Sequence, residues 1–181
     1  MLKNPFGAKP LISARWYWVG LIGCSALLAI AYFYFQQSLG LAPCPLCMFQ
    51  RAALVGVAAF CLLGIVFRPK KLGSKLLAFG ATLSSLIGLG IAGRQVWLQH
   101  LPADKVPECG PGLDFMLEMN PLFDVITTVL SGSGECAEVK WSLLGFSMPE
   151  WMVLVFVVIT LICLKLLFSK ERNYFSGALG R

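Results

Sequence analysis

Charge is what this sequence has least of. Aspartate, glutamate, lysine and arginine make up 13% of its 181 residues, where a soluble domain carries nearer a quarter. With 57% hydrophobic residues beside it, that shortage excludes an ordinary soluble globule and leaves room for one domain with little outside a bilayer. Histidine is nearly missing, with only His100, and there is no haem motif, flavin motif, internal repeat or low-complexity segment. The net charge of +6 does not point to nucleic acid, because the bases cluster in short segments beside apolar runs, as topology signals do.

Four apolar runs have the length that ~30 Å of hydrocarbon demands, about 20 helical residues. They cover 16–35, 46–67, 76–96 and 151–168, and residues 97–150 form the only long polar stretch. The expected fold is all-α: one membrane domain over 1–181, a four-helix bundle with a long outer loop. Ala29-Ile30-Ala31 has the form of a signal cleavage site, but the run continues through Tyr32-Phe33-Tyr34-Phe35, so an anchor is expected. A polar link, 36–43, follows it, and Arg68 to Lys75 make a basic turn after the second run. In the third run Gly80, Ser84, Gly88 and Ala92 recur every four residues, a stripe suited to close helix packing in lipid. Within the loop, Pro121 to Leu130 spaces apolar residues for one face of a short amphipathic helix, lying on the membrane surface or packed on the spans.

Lys3, Lys9, Arg15, Arg68, Lys70, Lys71, Lys75, Lys165, Lys170, Arg172 and Arg181 fall on one side of this arrangement. Every acidic residue except Glu171 falls in the outer loop. The positive-inside rule then makes both termini cytoplasmic and turns Cys44, Cys47, Cys109 and Cys136 outward, to the oxidising side of a bacterial inner membrane. Cys24, Cys61 and Cys163 lie inside apolar runs and read as small hydrophobes.

The chemistry gathers at Cys44-Pro45-Leu46-Cys47 with Arg51. Pro45 suits the first position of a helix, where its missing N–H costs nothing. Cys47 then sits in the first turn, where free amides and the macrodipole stabilise a thiolate. Arg51, four residues on, shares its face and could also meet a quinone oxygen; as a plain interfacial base it would merely snorkel. Two structural disulfides, a Cys₄ zinc site, a thiol–disulfide relay and a quinone reductase fed by that relay are the competing readings of the outer cysteines. Zinc suits the distant Cys109 and Cys136 poorly, and an oxidising side disfavours its thiolates. A relay needs destabilised disulfides and a strong final acceptor. In a membrane, and with no haem or flavin motif, a lipid-soluble quinone is the natural one.

Cys44-Pro45-Leu46-Cys47 with Arg51, then Cys109, then Ser133-Gly134-Glu135-Cys136-Ala137-Glu138 with Trp141, and Met148-Pro149-Glu150-Trp151, resemble the DsbB family of bacterial disulfide bond formation proteins. The likeness runs from the first span through the fourth and implies a four-helix quinone reductase. It implies that Cys109 forms a mixed disulfide with a periplasmic DsbA-like thiol oxidase, and that Cys136 resolves it and attacks Cys44. Cys47 is then released as the thiolate facing ubiquinone or menaquinone, with Arg51 beside it. Where the family's best-studied members carry a histidine near the outer end of the third span, this chain offers Gln95, which can hydrogen-bond a quinone carbonyl but cannot supply a proton as an imidazolium would. His100 reads as an interfacial residue. The rivals are a vitamin K epoxide reductase-type enzyme, whose loop cysteines typically precede the active pair, and a non-catalytic scaffold stapled by disulfides.

Overall fold

The computed structural model describes residues 14–67, 69, 71–102, 118–119, 121–131 and 134–168. Helix α1 (Ala14–Ala29) passes into a π-helical stretch, Ile30–Ser38; then come α2 (Pro45–Phe67), α3 (Lys71–Gln99), α4 (Leu122–Ser131) and the single turn α5 (Gly134–Ala137). Strands β1 (Ser142–Leu143) and β2 (Phe146–Ser147) precede α6 (Met148–Leu167). Four helical stretches, Arg15–Ser38, Pro45–Phe67, Leu72–Gln99 and Met148–Leu167, are long and apolar enough to cross a membrane. The expected four-helix bundle is present, and the first, third and fourth spans begin before the apolar runs alone suggest, the first and third also ending later.

Local chemistry accounts for those extensions. The first span absorbs the start of the expected polar link because its polar residues bond back along the wide π turn. Gln37 Nε2 donates to Tyr32 Oη at 3.1 Å, and Ser38 Oγ donates to the Phe33 carbonyl at 3.0 Å. Gly40, at φ 62°, turns the chain out of the helix. The fourth span starts at Met148 because Ser147 is its N-cap, with the Glu150 carboxylate accepting the Ser147 N–H. Helix α2 begins at Pro45, as expected.

Helix α3 is the centre of the bundle, packed on α2 at one side and α6 at the other, while α1 packs on α2. The small-residue stripe makes these approaches possible. A side chain at Gly80 would meet the Phe60 ring at 2.5 Å, and one at Gly88 would run into Phe156, which is wholly buried. Between α1 and α6 the bundle stays open as an apolar groove of about 410 Å³, lined by Trp16, Leu27, Trp151, Leu154 and Ile162 among others.

Helix α4 packs on the spans, which decides between the two placements expected for it. Val125 and Val129 are buried with Leu46, Ile91 and Leu98 at the ends of α2 and α3, while Phe123 is exposed. Beside the all-α bundle lies a small antiparallel hairpin, in which Ser142 pairs with Ser147 and Leu143 with Phe146. It forms because Leu144-Gly145, both at positive φ, make a two-residue turn.

Candidate functional site

The start of α2 carries the site. Cys44 ends the segment before the helix and Cys47 lies in the first turn, so the two sulfurs face each other at 3.1 Å. Cys44, Cys47 and Cys136 are in the reduced, thiol form here. Cys136, on the short turn α5, is buried beside Cys44 in the same cluster as Val125 and Val129. This burial fixes Cys136 against the bundle. Hydrogen bonds to Cys136 and then to Cys47, followed by burial, hold the Cys44 thiol well above the ordinary thiol range, so it keeps its proton and donates it toward Cys47.

Gln95 on α3 completes the group. It is 4% exposed, and its Nε2 donates to both Cys44 Sγ and Cys47 Sγ at 3.4 Å. Its Oε1 accepts from Gln50 Nε2 at 2.8 Å, and Gln50 is 3% exposed. A buried amide must satisfy both ends, and here the oxygen is held by Gln50 so that the N–H₂ faces the sulfurs.

Arg51 is not a free snorkelling base. Its Nη1 donates to Gln36 Oε1 at 3.0 Å and its Nη2 to the Ala31 carbonyl at 2.9 Å, both on the π-helical end of the first span. It lines a small cleft with Cys44, Cys47, Gln95, Gln99, Phe35 and Trp141. Phe35 and Trp141 meet edge to face at 4.9 Å. Met148 and Pro149 close the far wall. His100 stays outside this lining, its Nδ1 2.9 Å from the Val96 carbonyl on an exposed stretch. The expected site residue Cys109 lies outside the described residues.

The sequence of the whole arrangement matches one family. A sequence model described as "Disulfide bond formation protein DsbB" covers residues 13–166, the entire bundle. The chain belongs to the DsbB family. It is 46% identical over 155 residues to "Disulfide bond formation protein B" of Nitrosococcus oceani, covering 84% of this chain and 90% of that relative. Its identity to the protein of the same name from Psychrobacter sp. is 48% over 138 residues, covering 76% and 81%. To that of Chromohalobacter salexigens it is 48% over 150 residues, covering 82% and 87%. It is thus a multi-pass membrane oxidoreductase of disulfide-bond formation, and the match takes in Cys44, Cys47, Arg51, Gln95, Cys109 and Cys136.

Three polar residues of this DsbB-family site escaped the sequence reading: Gln50, Gln36 and Gln99. Gln50 had a readable signal. It is an amide in an otherwise apolar helix, three residues after Cys47 and therefore on a neighbouring face. Gln36 had none, because its value depends on how α1 is rotated against α2.

Proposed function

We propose that this protein takes electrons from the dithiol of a soluble, thioredoxin-fold oxidase of DsbA type and passes them to a membrane quinone, ubiquinone or menaquinone. The observation that supports this best is the succession of three sulfurs, Cys136, Cys44 and Cys47, ending in a cleft beside Gln95 and Arg51. The distribution of basic residues supports an inner-membrane location with both termini cytoplasmic and the four outer cysteines periplasmic, where disulfides persist.

Thiol–disulfide exchange proceeds by thiolate attack on a disulfide sulfur. With Cys44 and Cys47 joined, Cys136, freed once the partner has engaged Cys109, attacks Cys44 Sγ. The Cys44–Cys136 bond forms, the Cys44–Cys47 bond breaks, and the electron pair leaves on Cys47. Gln95 Nε2 already points at that sulfur, and the first turn of α2 adds its free amides. Over a full cycle two electrons and two protons leave the partner's dithiol, which becomes a disulfide, and the chain returns to its starting pairing.

The residues present fit a quinone. Phe35, Trp141 and Met148 offer apolar walls to a flat ring, while Arg51 and Gln99 bring N–H donors for carbonyl oxygens. Bound there, the quinone supplies a two-electron, two-proton acceptor. The test is the fall in quinone absorbance when reduced partner is added to the protein in nanodiscs. Cys47→Ser should abolish it, and normal turnover in that variant would end the mechanism. Maleimide trapping then separates a relay, whose cysteines cycle on partner addition, from a stapled scaffold, whose cysteines stay oxidised.

A further inference from the structure

The hairpin before α6 is built against two ordinary preferences at once. Its turn residues, Leu144 at φ 55° and Gly145 at φ 85°, both need the left-handed region. Such two-residue turns usually carry asparagine or aspartate before the glycine, because other side chains cost about 1–2 kcal/mol there. Leucine takes that position here and is 82% exposed, with Leu143 and Phe146 about half exposed beside it. A leucine at this spot helps neither the turn nor the core.

Its position in the bundle supplies a reason. Trp151 Nε1 donates to the Leu143 carbonyl at 3.3 Å, and the Trp151 ring packs on Phe146 with centroids 6.0 Å apart. Trp151 lies one turn inside α6, and the twenty residues of α6 are about the minimum for crossing the hydrocarbon. The hairpin therefore folds back along the first turn of the span rather than rising away from it. The outward surface of α6 continues from there through Leu154 and Val158, both exposed and apolar. Tryptophan at this depth is the usual marker of the headgroup boundary.

We infer that the Leu143-Leu144 tip is a lipid anchor, seated at the headgroup–acyl boundary of the leaflet at the cysteine end, on the evidence of this exposed leucine pair held against Trp151. The occupant is the bilayer surface, because the tip is continuous with the lipid-facing side of α6. The anchor also has a bearing on the site. Ser147, at the base of the hairpin, donates through Oγ to Gln99 Oε1 at 2.8 Å, and Gln99 lines the cleft. Seating the tip in lipid sets the height of the cleft mouth relative to the bilayer.

The experiment uses the full chain in phospholipid nanodiscs with the photoreactive residue p-benzoylphenylalanine at position 144, and, in separate chains, at 143, 154 and 140. Mass spectrometry of the illuminated protein reads lipid adducts, and circular dichroism verifies that each chain is folded. Position 154, on the lipid face of α6, reports lipid contact; position 140, a partly exposed lysine outside the spans, is the polar reference. The anchor predicts adducts at 144 at a level near that of 154 and several-fold above 140. In a chain that also carries Leu144→Asn, which suits the turn but removes the apolar tip, adducts from position 143 fall several-fold. Adducts at 154 with none at 144 or 143, or crosslinks from 144 to protein instead of lipid, overturn the proposal.

Discussion

Two groups of cysteines in this chain differ only in what surrounds them. Cys24, Cys61 and Cys163 sit mid-bundle beside the groove between α1 and α6, packed with Leu27, Val57 and Phe156. Cys44, Cys47 and Cys136 sit at the end of the bundle, where a helix begins and where Gln95, Gln50 and Arg51 bring amide and guanidinium N–H groups. A thiol among hydrocarbon side chains has nothing to stabilise its anion and behaves as a small apolar residue. A thiol in the first turn of a helix, facing an oriented amide, can give up its proton and accept a leaving electron pair. The residue type is shared, and position along the helix decides the chemistry.

The sharpest way to break the comparison is to exchange roles between the groups. Cys47→Ser, or Cys44→Ser, should abolish quinone reduction by reduced partner, while Cys24→Ser or Cys163→Ser should leave turnover near that of the parent. The same absorbance assay reads all four variants. Equal losses in both groups would mean that serine acts through folding and that position carries no special chemistry.

The next effect is that of the amide. Gln95→Leu removes a side chain that donates to both sulfurs, and hydrogen bonds to charged groups contribute about 1.5–3 kcal/mol. The expected loss in turnover is roughly ten- to hundredfold. Gln50→Met, which keeps the shape but leaves Gln95 free to turn, should lose less, about 1 kcal/mol or roughly fivefold. It should also slow alkylation of Cys47 at neutral pH while leaving the thermal midpoint little changed. If Gln50→Met costs more than Gln95→Leu, Gln50 does more than orient its neighbour.

Within the active group Cys44 and Cys47 should themselves differ. Cys44 is held protonated by its hydrogen bonds to Cys136 and Cys47 and by burial. Its thiolate is therefore scarce through neutral pH, and alkylation of the reduced protein should reach Cys47 first. Since the folded thiol titrates above its unfolded value of about 8.5, the sign is that its protonated form stabilises the fold below that pH and the benefit is lost as pH rises beyond it. Peptide mapping after timed iodoacetamide treatment across neutral to alkaline pH checks the order; labelling of Cys44 before Cys47 would contradict it.

What could be read in the sequence was whatever repeats along one helix. Pro45 set the start of α2, spacing put Cys47 and Arg51 toward one cleft, and the stripe at Gly80 and Gly88 marked where Phe60 and Phe156 come close. What could not be read was whatever depends on two helices meeting at a given rotation. Arg51 finds Gln36 and the Ala31 carbonyl across the bundle, and Gln95 finds Gln50. Neither pairing leaves a periodic trace. The hairpin escaped for another reason: Leu144-Gly145 lacks the asparagine or aspartate by which such turns announce themselves.

The smallest effect tests the apolar group on its own terms. If Cys24 is a packing residue, Cys24→Ala should cost only its buried sulfur. That atom is comparable to one methylene, so about 1 kcal/mol of stability is expected, part of which the open groove beside it recovers by letting neighbours relax. Cys24→Val, which restores the volume, should return most of the loss, whereas Cys24→Ser should cost at least as much as alanine because its hydroxyl is placed among apolar side chains. Thermal midpoints in nanodiscs rank the three. A serine variant as stable as the parent would mean that a polar partner lies within reach, and the contrast between the two groups of cysteines would then be one of degree.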